Sequence, residues 1–362
     1  METILQTAYR ILEFVIALGV LIFLHEFGHY IMCKIFRIEV EEFGFGFPPR
    51  LIRLFKFGET EFTLNWIPFG AFVRPKGEND PSIPGSLAAA NPWKRFGVLV
   101  GGPLMNLITA VILFSVLYSL VGAPDTKVVQ IVSVNPNAPA EQAGLLAGDT
   151  IISVNGVKIE ASSQLSSIIN TNRGKEISIT YRRDGQDATV QAIPRVSPPP
   201  NEGALGIVMS NPLRPVSFFS SIPLAVSDTA QQAKMLISMP VMLITGQVSG
   251  DQARLVGPKG MYDLYQAVRT EDRQDQAANP SSTPVRTLNL IAAISVALGI
   301  TNLLPIPALD GGRILFLLPE ILFRKRVPPR YETMVHLIGF AALILLMVYV
   351  TAQDFLNPIL IR

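Results

Sequence analysis

The chain has 362 residues, 49% of them hydrophobic and 16% charged, with a formal net charge of +2. It has room for more than one folded unit, is too apolar for an ordinary soluble protein, and carries too many charges to be membrane throughout. No Arg/Lys-rich run with interleaved aromatics is present, which argues against a nucleic-acid surface, and the single cysteine, Cys33, excludes a disulfide framework or a Cys-based zinc site.

Four stretches are long and apolar enough to span a bilayer, which takes about 20 residues. They cover 9–36, 96–122, 287–309 and 335–353. The first reads poorly as a cleavable signal: the residues before Ile11 hold one basic residue, no small-residue cleavage site follows, and the apolar run contains a motif that must be retained. That motif is His25-Glu26-Phe27-Gly28-His29. Histidines four apart share one helix face, so both rings can reach one metal ion, with Glu26 beside them to handle a proton. Ionisable groups in hydrocarbon are costly and mark function. Cys33, four residues beyond His29, reads as a small packing residue.

Residues 43–51 (FGFGFPPRL) alternate Phe and Gly and lead into a β-like run at 61–66. With 69–74 they suggest a β element, about 43–74, that dips into the membrane where protein covers its backbone. Residues 1–122 are thus the first membrane part. Next, 127–196 reads as short alternating strands joined by turns such as Asn155-Gly156 and Asp184-Gly185, with helices near 139–143 and 162–170. The run from Ala140 to Gly156 (AEQAGLLAGDTIISVNG) closely resembles the PDZ signature. PDZ domains bind extended peptides by strand addition; a size filter is the other use open to such a domain. Residues 197–286 form a linker with apolar pieces at 215–248, too short or interrupted to span and suited to the membrane interface, and an exposed polar loop at 270–284. Residues 287–362 carry the last two spans.

Basic residues cluster in the two short loops, 37–95 and 313–330, which places both loops in the cytoplasm and the termini and the long insert outside.

Catalytic zinc takes three protein ligands and leaves a position open. His25 and His29 supply two; Asp310 and His336 compete for the third. At about 1.5 Å per residue, helices entering from outside bring His25, His29 and Asp310 to similar depths, toward the cytoplasmic side. Asp310 also ends the Pro-broken run NLLPIPALDGG, irregular backbone that belongs at a protein-lined cavity, and so is preferred. Asn302 in that run is either an oxyanion donor or a helix–helix hydrogen bond. Asn106, in Gly101-Gly-Pro-Leu-Met-Asn106, carries the same ambiguity and reads as structural.

Together, HEFGH in the first span, Gly-Pro-x-x-Asn in the second, a PDZ-like insert and Asn-x-x-Pro-x-Pro-x-Leu-Asp-Gly-Gly in the third resemble the site-2 proteases, closest to the bacterial RseP type. Further matching runs are 68–73 (PFGAFV) and 256–261 (VGPKGM). The resemblance implies a polytopic α-helical membrane protein with a reentrant β element that presents unwound substrate as a strand. It implies one Zn2+ per chain held by His25, His29 and Asp310, with Glu26 catalytic and Asn302 assisting. Many RseP-type enzymes have two PDZ domains; one signature is visible here. The expected activity is intramembrane proteolysis of single-span proteins, such as anti-sigma factors or remnant signal peptides, in the cell inner membrane. The competing reading is a catalytically silent scaffold recruiting partners through its PDZ domain.

Overall fold

In the computed structural model, residues 2–78, 80–199, 202–248 and 254–358 are described. The chain begins α1 (Glu2–Ile35), β1 (Val40–Phe57), β2 (Thr60–Pro75), α2 (Pro92–Val121). A run of short elements follows: β3 (Ala123–Pro124), β4 (Val129–Val134), α3 (Pro139–Gln142), β5 (Thr150–Val154), β6 (Val157–Lys158), α4 (Ser162–Thr171), β7 (Ile177–Arg183), β8 (Gln186–Ala192), β9 (Ile207–Ser210) and β10 (Leu213–Arg214). Five helices close the chain: α5 (Phe218–Ile244), α6 (Pro258–Ala278), α7 (Val285–Leu303), α8 (Asp310–Phe323) and α9 (Pro329–Leu356). Two compact units result, one made of Met1–Leu117 with Phe218–Arg362, the other of Tyr118–Ser217.

In the first unit, α1, α2, α7 and α9 are long and apolar enough to cross a membrane, so the chain is a multi-pass membrane protein with β elements. The expected third span, 287–309, ends early: α7 stops at Leu303, because the prolines at 305 and 307 cannot continue a helix. Asp310 therefore does not finish a span but opens a separate helix, α8. Ala308, just before it, has φ +79°, a conformation costly for a residue with a Cβ. Its N–H donates to Nδ1 of His336 on α9, which holds the turn.

The register between β1 and β2 is doubled. Phe43 faces both Val73 and Phe62, Gly44 both Phe72 and Thr63, and Phe45 both Ala71 and Leu64, while 50–57 pair with 60–65. Each long strand bends, so the first half of β1 lies between the two halves of β2. Phe43 and Val40 are fully buried there against Tyr30 and Cys33 of α1. Leu51, Ile52, Phe55 and Phe57, at the far end, are exposed.

Two sequence expectations fail in the second segment of this unit, Phe218–Arg362. Residues 218–244 are not separate apolar pieces but one helix, α5, which carries Pro223 and Pro240 within it. The polar stretch 270–284 is not all loop, since α6 runs to Ala278. Its polar groups have distant partners: Arg269 and Arg273 pair with Glu13 of α1, and buried Asp272 accepts the N–H groups of Arg286 and Thr287 at the start of α7. The first turn of α6 is capped from afar, with Gly257 and Gly260 N–H groups donating to the buried Asp354 of α9 at 2.9 Å each.

The second unit is an α+β fold around a sheet in the order β8-β7-β5-β4-β9, with β6 beside β5. Val129, Ile131, Ile151, Leu165, Ile177 and Ile179 form its core. Residues 207–210, read from sequence as linker, add β9 to the sheet edge; four residues are too few for periodicity to mark.

Candidate metal centre

His25 and His29 lie on one face of α1, and their Nε2 atoms are 3.3 Å apart. Asp310, at the start of α8, brings Oδ2 to 3.2 Å from His25 Nε2 and 3.3 Å from His29 Nε2. These side chains are only 10%, 12% and 17% exposed, so three polar atoms converge where little water can satisfy them. Among the described residues this is the one group of His, Cys, Asp or Glu arranged to hold a metal ion. His336, the competing third group, is instead committed to Ala308 N–H.

The convergence depends on close backbone approach. Gly28 of α1 meets Gly101 of α2, where a Cβ on Gly28 would lie 2.2 Å from the Gly101 carbonyl oxygen. One residue on, a Cβ on Gly102 would lie 2.3 Å from His29 Nε2 and 2.8 Å from His25 Nε2. The α2 backbone thus forms a wall of the site, and Gly102 leaves open the space beside the converging nitrogens. Small residues allow this approach between membrane helices. In the sequence, Gly101-Gly102-Pro103 stands out only as the lead-in to Asn106. The signal was present, since Gly pairs in apolar helices mark backbone contacts.

Backbone and amide partners hold the rings from behind. Val98 O lies 2.7 Å from His29 Nδ1, and Asn106 Nδ2 lies 3.2 Å from His25 Nδ1. A carbonyl only accepts, so His29 Nδ1 carries the proton and Nε2 offers its lone pair toward the centre. Two imidazoles and a carboxylate, converging with space beside them, suit zinc with an open position.

Glu26 does not join this group. Its Oε2 accepts the N–H of Val73 on β2 at 3.2 Å, which fixes the carboxylate beside the site. A cavity of about 220 Å³ is lined by Glu26, His29, Phe72, Val73 and Asp310, with Arg313 and Glu78, themselves ion-paired, along it. Asn302 is not among the lining residues; its Nδ2 donates to Leu298 O one turn back on α7. Cys33 is fully buried in the aromatic cluster under the β element.

Comparisons with known proteins agree with this chemistry. The model of peptidase family M50 matches residues 13–346. A Clostridium acetobutylicum protein, named provisionally as a zinc metalloprotease, is 31% identical over 352 residues, covering 97% of this chain and 98% of that protein. The zinc metalloprotease RasP of Shouchella clausii is 30% identical, covering 95% and 98%. The regulator of sigma-W protease RasP of Bacillus subtilis is 28% identical, covering 95% and 97%. With this match spanning nearly its whole length, the chain belongs to peptidase family M50, the site-2 proteases, as a zinc metalloprotease of the RseP type.

Proposed function

We propose that this protein cuts single-span membrane proteins within or beside their membrane segment, with His25, His29 and Asp310 as the zinc ligands and Glu26 as the catalytic proton carrier. The observation that carries the reading is the convergence of His25 Nε2, His29 Nε2 and Asp310 Oδ2 within 3.3 Å beside a cavity that Glu26 also lines. Zinc held by His25, His29 and Asp310 would supply a Lewis acid for the scissile carbonyl and for bound water. Glu26 accepts a proton from the attacking water and delivers it to the leaving amine. The Val73 N–H keeps its carboxylate aimed while the proton comes and goes.

Val73 also points to how substrate is presented. Its N–H faces α1, so the outer edge of the last rung of β2 runs past Glu26. A substrate peptide laid along that edge as a strand exposes its carbonyls to the site, whereas in a helix its hydrogen bonds and side chains shield them. Asn302, bonded within its own helix, belongs to helix structure in this reading.

The physiological substrates in this proposal are anti-sigma factors or remnant signal peptides; the Bacillus subtilis relative, a regulator of sigma-W, supports the first of these. Residues 127–196, within the unit Tyr118–Ser217, are a PDZ domain in this reading, one that takes an extended peptide or screens substrates by size. The basic loops put that unit and both termini outside the inner membrane, and the site toward the cytoplasm.

The test is Glu26→Gln. Cleavage of a model single-span substrate should fall by at least about 1,000-fold, with zinc still near one per chain. Asp310→Ala should lose the metal itself. Retained cleavage by Glu26→Gln overturns the mechanism.

A further inference from the structure

One buried polar side chain behind the metal centre has no place in the mechanism above. Asn106 sits on α2, 1% exposed, with its amide against His25 Nδ1 at 3.2 Å. The other end of that amide, Oδ1, is buried with no hydrogen-bond partner among the described residues. Unpaired buried acceptors are uncommon and costly, and each calls for a reason.

His29 provides the comparison. Val98 O can only accept, so His29 is held with its proton on Nδ1 and its lone pair on Nε2, the form a metal ligand needs. His25 has no such fixed partner. An amide can present either its NH2 or its oxygen to the ring, and a half-turn exchanges the two. With NH2 toward the ring, Nδ1 must be the acceptor, and Nε2 then carries a proton that it can share with Asp310 Oδ2. With oxygen toward the ring, Nδ1 donates and Nε2 is free to ligate. In the orientation of the structure Oδ1 lacks a protein partner, so no donor holds the amide that way round. A metal at Nε2 would select the other.

We propose that Asn106 is a positioning residue for zinc, whose Oδ1 accepts the Nδ1–H of His25 when metal is bound and so locks that ring in its ligating form. The inference rests on His25 being a ligand, as proposed above. Asn106 completes for His25 what the Val98 carbonyl does for His29. Its place in the chain is set separately, because the Asn106 main-chain carbonyl accepts the Ser295 hydroxyl of α7 at 2.7 Å, a bond that side-chain replacement leaves intact.

Zinc affinity of the full-length, detergent-solubilised protein, measured by competition with a chromogenic chelator, is the readout. Asn106→Ala should weaken zinc by about 10–100-fold, the usual effect of losing a ligand's hydrogen-bond partner. Asn106→Asp, which restores an acceptor, should hold zinc within about threefold of the parent. Should the alanine variant fail to fold, Asn106→Ser, too short to reach the ring, is expected to show the same loss. Thermal unfolding of the metal-free forms separates this from a mere tie between helices, which would lower the melting temperature without moving zinc affinity. Unchanged zinc affinity in Asn106→Ala, or a loss in Asn106→Asp as large as in Asn106→Ala, overturns the proposal. His25→Ala keeps the two readings apart. If it retains zinc, the ligand assignment fails; if it loses zinc while Asn106→Ala does not, only the role of Asn106 fails.

Discussion

In the inserted unit, Ile131, Ile151, Leu165 and Ile179 are each 3% or less exposed and fill one another's gaps, with alternate strand residues turned outward. Where α1 crosses α2 at the site, glycine backbone and polar rings meet instead, with Gly28 against Gly101 and both imidazoles against Gly102. The first interior is close-packed by side chains, so it is damaged by removing atoms. The second is shaped by side chains that are absent, so it is damaged by adding them. A membrane helix gains little by burying leucine against leucine when lipid is equally apolar; close backbone approach and satisfied polar groups decide its contacts.

The sharpest way to break this comparison is Gly102→Ala. The added methyl would lie 2.3 Å from His29 Nε2, a distance that no side-chain adjustment of the alanine relieves. The rings must move, and a shift of roughly 1 Å in a site of this kind costs on the order of 100-fold in rate. Cleavage should fall by at least that factor, and zinc per chain should drop well below one by atomic absorption. Full zinc and full activity in this variant would show that α2 does not wall the site.

The same contrast explains what could be read in advance. Apolar runs locate α1, α2, α7 and α9 because membrane thickness imposes a length, and period-2 alternation locates β4, β5 and β7 because one face is buried. The four-residue spacing puts His25 and His29 on one face, and the motif ending in Asp310 marks the third group that the structure brings to them. What stayed hidden was long-range. The polar residues of α6 looked like loop until Glu13 and the start of α7 supplied their partners. Helix α8 was missed because Asp310 was read as an ending rather than a first turn. Val98 could not be foreseen at all, since its contribution is a main-chain carbonyl and its side chain carries no hint.

A smaller effect tests whether the inserted unit keeps its own account of stability. Asp149 is 1% exposed and holds Arg183 through two bonds of 2.7 Å while accepting Leu146 N–H at 2.8 Å. Burial alone would raise its pKa, but the Arg183 guanidinium and that N–H outweigh it and hold the carboxyl below its ordinary value. A carboxylate depressed in the folded state stabilises above its unfolded pKa, near 3.9, and loses that contribution as pH falls through the lower folded value. Asp149→Asn should therefore cost about 2–4 kcal/mol at neutral pH, and the gap to the parent should narrow below about pH 4. Pulse proteolysis of the full-length protein reads this, and zinc content should not change. Zinc loss in step with unfolding of the insert would mean that the two interiors do not fail separately.

The smallest effect belongs to Gly19, and it decides what the glycines of α1 are for. Gly19 shares the helix with Gly28, yet a Cβ built on it meets nothing within 4 Å. If glycine served α1 by keeping the whole helix flexible, Gly19→Ala and Gly28→Ala would be harmful alike. If it serves only where α2 touches, Gly19→Ala is harmless, and the better helix propensity of alanine makes it neutral to stabilising by up to about 1 kcal/mol. Zinc content and cleavage should stay within about twofold of the parent, since nothing near the site moves and surface changes of this kind fall within about 0.5 kcal/mol. Loss of activity without loss of zinc would mean that α1 must bend near Gly19 during turnover, and that glycine serves this helix by more than its contact with α2.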